Sequence, residues 1–343
     1  MPTLLLSLVL TQPVPPTAVL VVHGGLGVLT ADEMVAERLT REEFEAALAE
    51  SLRAGHTRWA AGRPGPEVVE AAVRVLEDSP LFNAGRGAAL TADGRAELDA
   101  AIMEGTMTGS ADGKRDPRKR AGAVAGVTHL KNPISAARSV LEMPGGEHAL
   151  LYGDGAERYL LSADAQKRVP VEAVPNTYFW TDRRLKQVRP KATDKFGTVG
   201  AVALDKAGSL TAGTSTGGTA GKRPGRIGDA PLPGAGTYAD DRACGVSGTG
   251  TGELFIRHAV AHDVVARMLY AKSAVDAAAQ AAIDQLPDEE YGVGGLIALD
   301  RQGRFAFAMS GRSVGMYRGY VTAAGEVFTA VYPGNVLVRS PKR

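Results

Sequence analysis

The sequence predicts a layered fold in which sheets are flanked by helices, and three features of the 343-residue chain carry that expectation. Strand-like and helix-like segments fall in separate blocks within each half, the pattern of layered architectures. The length suffices for one large core or two smaller ones. Glycine, at 42 residues, is abundant and clustered, which suits tight turns and close backbone approach. Hydrophobic residues at 44% and charged residues at 22% are ordinary for a globular chain, and no repeat of solenoid period is present.

The elements follow in order. Residues 1–16 carry the apolar run Leu4–Leu10 and then a proline-rich stretch. The run is too short to span a bilayer and lacks the basic flank and cleavage pattern of a secretory signal. A truncated signal and a disordered leader both stand, which leaves export and cytoplasmic retention equally open. Residues 17–343 are expected to form one domain. Ala18–Val22 reads as an apolar strand closed by His23-Gly24-Gly25. Thr40 and Glu43 have capping-box spacing and open a helix to about Ala60. A second helix spans about Pro66 to Asp78, with proline in the first turn. Ala121–Thr128 suits a buried strand, and Asn132-Pro133 caps a helix to about Met143. Residues 162–197 are polar, charged and without sustained period, so they are expected to form an exposed mobile linker. Two strands follow, at 199–204 and 209–212. Helices are expected at about 252–270 and 273–285, then strands at 295–299, 305–309 and 327–332.

Composition and failed motifs exclude several functions. The 39 basic and 38 acidic side chains nearly cancel, which argues against a nucleic-acid partner. One cysteine, Cys244, rules out an intrachain disulfide framework or a multi-cysteine metal site and suits a small buried apolar residue. The glycine-rich run Gly213–Lys222 fails as a phosphate loop, because Thr216 stands where glycine is needed and Arg223 follows the lysine. Gly25-Leu-Gly27 continues as Val-Leu-Thr, which is not a dinucleotide fingerprint. Gly245-Val-Ser-Gly-Thr249 lacks the last glycine of a serine elbow. His258 and His262 are four apart on a predicted helix, a spacing more often packed or solvated than metal-bound.

What remains is hydroxyl chemistry framed by glycine. Thr198 follows Gly197 directly after the predicted linker and opens a strand. A threonine with a free α-amine carries its own base, and a preceding glycine tolerates the strained geometry in which the hydroxyl could attack the Gly197 carbonyl. Spacing alone does not separate such a residue from an ordinary strand threonine.

Four segments occur in order: 194–205 (Asp-Lys-Phe-Gly-Thr-Val-Gly-Ala-Val-Ala-Leu-Asp), 214–218 (Thr-Ser-Thr-Gly-Gly), 224–231 (Pro-Gly-Arg-Ile-Gly-Asp-Ala-Pro) and 247–253 (Ser-Gly-Thr-Gly-Thr-Gly-Glu). Upstream lie His23-Gly-Gly25, Leu81-Phe-Asn-Ala-Gly85, Glu97-Leu-Asp-Ala100 and Gly122-Ala-Val-Ala-Gly126. Together they resemble the plant-type asparaginases, or isoaspartyl peptidases, of the N-terminal-nucleophile hydrolase superfamily, over nearly the whole chain.

The resemblance implies an α+β fold, a four-layer αββα sandwich, cut between Gly197 and Thr198 into an α chain 17–197 and a β chain 198–343. It implies Thr198 as nucleophile, Thr216 as its tuning hydroxyl, and Thr249 with the Gly250 N–H as an oxyanion hole. Arg226 is then expected to grip the substrate's α-carboxylate with its fork and Asp229 to hold the α-ammonium. Asn83 is placed near the active centre. Backbone carbonyls of Leu76, Glu77, Ser79, Phe82, Ala84 and Arg86 are placed around a structural sodium ion, with no organic cofactor. The implied substrates are isoaspartyl dipeptides and asparagine, the implied assembly is a dimer of cleaved units, and neither nucleic acid nor membrane is an expected partner. Glycosylasparaginases are the nearest rivals, but they carry Asp-Thr at the cleavage site. An uncleaved binding homologue is the rival from another class, and the intact set of candidate residues argues against it. Three departures stand out: an insertion-like basic stretch at 108–120, the altered segment 310–318, and Gly221 where relatives have asparagine.

Overall fold

The computed structural model describes residues 17–26, 28–105, 120–188, 197–287, 294–311 and 313–333, and the backbone of 338–339. The chain opens on strand β1 (Leu20–Leu26) and helices α1 (Ala31–Ala36), α2 (Arg41–Ala60) and α3 (Gly65–Asp78). Strands β2 (Leu98–Glu104) and β3 (Ala121–Val127) precede helix α4 (Pro133–Leu141) and strand β4 (Leu150–Tyr152). Helices α5 (Gly153–Leu160), α6 (Ala163–Arg168) and α7 (Asp182–Lys186) complete the first half. The second half begins with β5 (Val199–Leu204), β6 (Leu210–Thr216), β7 (Thr237–Ala239) and β8 (Cys244–Gly250). Helices α8 (Gly252–His258), α9 (Val260–Tyr270) and α10 (Val275–Asp284) follow. Strands β9 (Gly294–Asp300), β10 (Phe305–Met309), β11 (Met316–Val321), β12 (Val327–Ala330) and β13 (Val338–Arg339) close the described chain.

The strands form two sheets, one in the order β13-β12-β11-β1-β5-β6-β2-β3-β4 and one in the order β10-β9-β8-β7. Among the described strands only the β3–β4 pair is parallel. Strands from both halves of the chain meet at the centre of the large sheet, where β1 pairs with β5 and β5 with β6. Helices α2 and α3 lie against β1, β5, β6 and β11, while α9 and α10 cover the small sheet. Strands β1, β5 and β6 face β8 and β9 across the interior.

The alternation of side chains along a strand explains the composition of β5. Val199, Ala201 and Ala203 join the hydrophobic cluster under the helices, whereas Val202 joins Val21, Ala212, Ile297 and Leu299 between the sheets. A strand buried on both faces reads as an unbroken apolar run, which is why 199–204 was recognisable. At Gly200 an added Cβ would lie 2.0 Å from Ser247 Oγ and 2.6 Å from His23 Nε2, so the sheets can approach there only over glycine.

Several expectations hold. The Thr40–Glu43 capping box forms, and α3 carries proline in its first turn. Others are corrected. Strand β1 continues through His23-Gly24-Gly25, with a bulge between His23 and Gly25, instead of closing there. The expected helix 252–270 breaks at Ala259, whose left-handed φ of 48° separates α8 from α9. His258 and His262 therefore do not share a helix, and the His262 ring packs edge-on against Tyr238. Asn132 does not cap α4 through its side chain, which instead bonds Asp78.

The largest correction concerns the expected mobile linker. Residues 162–188 fold into α6, a turn of 3-10 helix at Asn176–Phe179, and α7. Arg86 donates to the Tyr178 and Trp180 carbonyls, Arg184 Nε donates to Gly87 O at 2.6 Å, and Asn176 bonds both Ala96 and Thr128. Polar side chains were read there as solvated, but they are spent on backbone groups of the neighbouring loop. Residues 189–196, the leader 1–16 and residues 106–119 lie outside the described residues. Among the described residues no helix is long and apolar enough to cross a membrane.

Gly200→Ala tests the contact between the sheets. Overpacking of this kind costs about 1–3 kcal/mol, so the variant is expected to melt clearly below the parent in a thermal scan. An unchanged melting temperature would show that the two sheets can separate freely at this point.

Candidate active site

Thr198 stands immediately before β5, between β1 and β6. Its Oγ1 donates to the Gly197 carbonyl oxygen at 2.7 Å and lies 3.1 Å from Thr216 Oγ1, at the end of β6. Thr216 Oγ1 is also 3.3 Å from the same carbonyl oxygen. Asn83 Nδ2 donates to it at 2.9 Å and to Gly218 O at 2.7 Å. Ala89 N–H donates to Asn83 Oδ1 at 2.7 Å, which fixes the way the amide points. Besides the Thr198 hydroxyl itself, two donors, Asn83 Nδ2 and Thr216 Oγ1, thus reach one peptide oxygen, an arrangement that stabilises negative charge developing there.

A common pocket is lined by Gly197, Thr198, Thr216, Gly218, Thr219, Arg226, Asp229 and Gly250. The structure therefore brings most of the sequence-derived set together. Thr249 is buried just behind the pocket wall, and its Oγ1 accepts the Leu26 N–H at 3.1 Å. That bond occupies the oxygen as an acceptor and leaves the hydroxyl proton available for donation.

The charged residues differ from expectation in one respect. Arg226 was expected to present its fork to a ligand, but Glu253 already occupies one edge, with Nε–Oε1 and Nη2–Oε2 distances of 2.9 Å. Burial works against the charge on Arg226, yet Glu253 holds it above the usual range. Asp229 is buried, and its Oδ2 has no hydrogen-bond partner among the described residues. Burial pushes its carboxyl up to about 7, against the pull of its own backbone N–H and of Arg226. Asp229 lines the pocket, and a buried carboxyl group there suits a cationic ligand.

Two further groups escaped the sequence reading. Lys222 is buried with Nζ donating to Glu97 O at 2.8 Å, beside Asp99, whose carboxylate accepts Gly126 N–H at 2.9 Å. Burial lowers Lys222 and raises Asp99, and each opposes the shift of the other. The second group is a chain of side chains between the sheets. Thr237 Oγ1 donates to Thr214 Oγ1 at 2.6 Å, Thr214 and Ser247 hydroxyls are 2.7 Å apart, and Ser247 Oγ is 2.9 Å from His23 Nε2. Burial pushes His23 down to about 3, against the nearby Thr198 backbone, so the ring is neutral. Isolated hydroxyls carry little sequence signal: His23, Thr214 and Ser247 lie inside the recognised motifs, and Thr237 lies outside them.

The segment 76–86 runs from the end of α3 into the loop bearing Asn83. An added Cβ at Gly85 would sit 2.3 Å from Glu77 O, and one at Gly87 would sit 2.2 Å from Phe82 O. The loop is therefore tightly wound, with Glu77 O and Phe82 O close against its glycines, and carbonyl oxygen is the ligand a hard cation prefers. Ala84 O accepts Gly87 N–H at 3.1 Å, which leaves its second lone pair. The donor chemistry fits a sodium ion. Gly221 has φ of +65°, a conformation that asparagine tolerates nearly as well as glycine, which explains the exchange between them. In the altered 310–318 segment, Ser310 and Ser313 close a turn through a hydroxyl contact of 2.8 Å.

Known proteins resemble this chain over nearly its whole length. A family model described as asparaginase matches residues 16–330. The chain is 41% identical over 330 residues to an isoaspartyl peptidase of Salmonella typhimurium, covering 92% of this chain and 98% of that protein. It is 38% identical over 318 residues to a plant-type L-asparaginase of Pyrobaculum calidifontis, with 88% and 96% covered. An isoaspartyl peptidase/L-asparaginase of Mus musculus is 36% identical over 295 residues, with 83% and 82% covered.

Asp229 makes the stability of the chain depend on pH. Its carboxyl lies near 7 when folded, against a usual value of 3.8, so the folded protein holds the proton more tightly than the unfolded one. Ionising it therefore removes stability as pH rises from about 4 to about 7. Asp229→Asn is expected to melt progressively higher than the parent across that window, with the difference levelling off above it. A difference that stays constant with pH would mean that Asp229 is paired.

Proposed function

The chain belongs to the asparaginase family, and from that membership we propose that it hydrolyses isoaspartyl dipeptides and L-asparagine through Thr198, after cutting itself between Gly197 and Thr198. The observation that carries the proposal is the junction itself: Thr198 Oγ1, Thr216 Oγ1 and Asn83 Nδ2 all reach the Gly197 carbonyl oxygen, at 2.7, 3.3 and 2.9 Å.

The chemistry follows from those contacts. Attack of Thr198 Oγ on the Gly197 carbonyl carbon forms a C–O bond, and the C–N bond to Thr198 then breaks, moving the acyl group from nitrogen to oxygen. The hydroxyl proton passes to the departing nitrogen, which becomes the free Thr198 α-amine, and water hydrolyses the ester to release the Gly197 carboxylate and restore the Thr198 hydroxyl. That amine takes the hydroxyl proton when Oγ attacks the side-chain amide of a substrate. The leaving nitrogen departs as ammonia or as the amine of a peptide, and water releases aspartate from the β-aspartyl ester. Gly250 N–H and the Thr249 hydroxyl would steady the oxyanion, which needs them more than the ground-state carbonyl does.

Recognition rests on the zwitterionic end of the substrate. Arg226 is assigned to the α-carboxylate and Asp229 to the α-ammonium, which would supply the partner Asp229 Oδ2 lacks. The carbonyls of Leu76, Glu77, Ser79, Phe82, Ala84 and Arg86 would hold a sodium ion, whose charge would stiffen the loop bearing Asn83. We read the architecture as the four-layer αββα sandwich of N-terminal-nucleophile hydrolases. Hydrophobic clusters under the first helices, between the sheets and beneath α9 and α10 support that reading. The mature assembly is proposed as a dimer of cleaved units.

Two outcomes test the proposal. Thr198→Ala is expected to run on a denaturing gel as a single chain near the full 35.7 kDa, while the parent runs as two bands. Cleavage before residue 198 in that variant would assign the cut to an outside protease. The parent enzyme is expected to reject N-acetyl-asparagine by about 10⁴-fold relative to asparagine, because the acyl group removes the cation and leaves Asp229 buried and unpaired. Comparable rates on the two compounds, measured by ammonia release, would overturn the role given to Asp229.

A further inference from the structure

We infer that Glu253 is a positioning residue for substrate recognition, holding one edge of the Arg226 guanidinium so that the other edge is presented to the substrate's α-carboxylate; this rests on the role proposed for Arg226. A guanidinium offers two forked edges, Nε with Nη2 and Nη2 with Nη1, and each can bind a carboxylate. Glu253 takes the first through two bonds of 2.9 Å. Nη1 makes no hydrogen bond among the described residues and belongs to the side chain that lines the Thr198 pocket.

The surroundings leave the guanidinium one place to sit. An added Cβ would come within 2.8 Å of Nη1 at Gly228, within 2.8 Å of Nη2 at Gly252, and within 3.2 Å of Nη1 at Gly218. The planar group thus lies against three positions without side chains, and a side chain at any of them would crowd it out of place. The Glu253 side chain is 47% exposed and that of Arg226 only 17%, so the clamp closes from the solvent side. Gly252 separates the two acids: a Cβ there would also lie 2.8 Å from Asp229 Oδ1. Glu253 and Asp229 therefore flank Arg226 and fix where a carboxylate and an ammonium three bonds apart can both bind. Glu253 lies in the first turn of α8, where a carboxylate is favoured, so the clamp is anchored to a helix instead of a free loop.

Glu253→Gln keeps the shape and removes the charge. In the cleaved enzyme KM for asparagine is expected to rise by about tenfold, the weight of one misaligned charge-assisted hydrogen bond, with kcat nearly unchanged. Competitive inhibition separates recognition from general damage. Aspartate carries the α-carboxylate and β-alanine lacks it, so the preference for aspartate should narrow by the same factor while Ki for β-alanine stays put. Glu253→Asp should recover part of the loss, and both variants should still run as two bands. Three results would overturn the inference: a lowered KM, which would make Glu253 a competitor that substrate displaces; equal weakening of aspartate and β-alanine, which would make it merely structural; or no change. Arg226→Lys separates this inference from its premise. If that variant keeps the full preference for aspartate, the role of Arg226 itself fails. If it loses the preference while Glu253→Gln keeps it, only the role of Glu253 fails.

Discussion

The buried hydrogen-bond chain between the sheets is the constraint on which the site depends. Its members come from four strands: His23 on β1, Thr214 on β6, Thr237 on β7 and Ser247 on β8. Side chains two apart on a strand share a face, so each link sets the position of a neighbour that faces the pocket. Thr214 sets Thr216, Ser247 sets Thr249, and Gly200, which His23 and Ser247 overhang, sets Thr198. Thr237 Oγ1 also reaches Ala230 O at 3.0 Å, which ties the chain to the residue after Asp229. Because burial keeps His23 neutral, the network brings no net charge into the interior. Its hydroxyls and His23 Nε2 are all partnered, which stiffens the core, while His23 Nδ1 is the one ring nitrogen left without a hydrogen bond among the described residues.

Charge is handled differently on the specificity side. Asp229 is buried without a donor on Oδ2, Arg226 is tied to Glu253, and Lys222 with Asp99 lies underneath. An unpaired buried carboxylate opposes folding, and nothing in the core requires one at this place. Such a group persists where its burden on stability is repaid by a ligand. The glycines around Arg226 belong to the same economy of space, since they let charged groups approach that side chains would hold apart. Stability is given up locally, and the sheets on either side supply it.

The sequence was most legible where one residue type had one role. The capping box at Thr40 and Glu43, the doubly buried run of β5 and the framed Thr198 could each be read from a few adjacent letters. Strands β2, β8 and β11 could not, because their glycines, threonines and charged ends hide the usual alternation. The helix break at Ala259 had no proline or glycine to announce it. Residues 162–188 misled for a related reason: Asn176, Arg184 and Arg86 look solvated in sequence, yet they satisfy backbone carbonyls and amides far along the chain. The site followed the same division. Thr198, Thr216, Arg226 and Asp229 stand in motifs, whereas the Glu253–Arg226 pair, 27 residues apart, exists only once α8 has folded against the 224–231 loop. Pairings across the fold are what a single sequence conceals.

Maturation and turnover, on the proposed mechanism, share more than the nucleophile. Gly197 lines the same pocket as Arg226 and Asp229, so in the joined chain the residue before the nucleophile occupies space on the substrate's side. Its carbonyl lies among donors from Asn83, Thr216 and Thr198, the first peptide bond presented to the hydroxyl. The substrate that follows would be held by a second set, with Gly250 and Thr249 proposed at the oxyanion and Arg226 and Asp229 at the zwitterion. Two sets of donors around one oxygen nucleophile allow the first reaction to proceed without the carboxylate and ammonium that the second demands. The peptide tether supplies the positioning that those charges later provide, since joining reactants in one chain is worth a large effective concentration. On the proposed mechanism, a site selective enough to refuse most amides would still cut its own backbone, because the backbone would not be asked to satisfy Arg226 or Asp229.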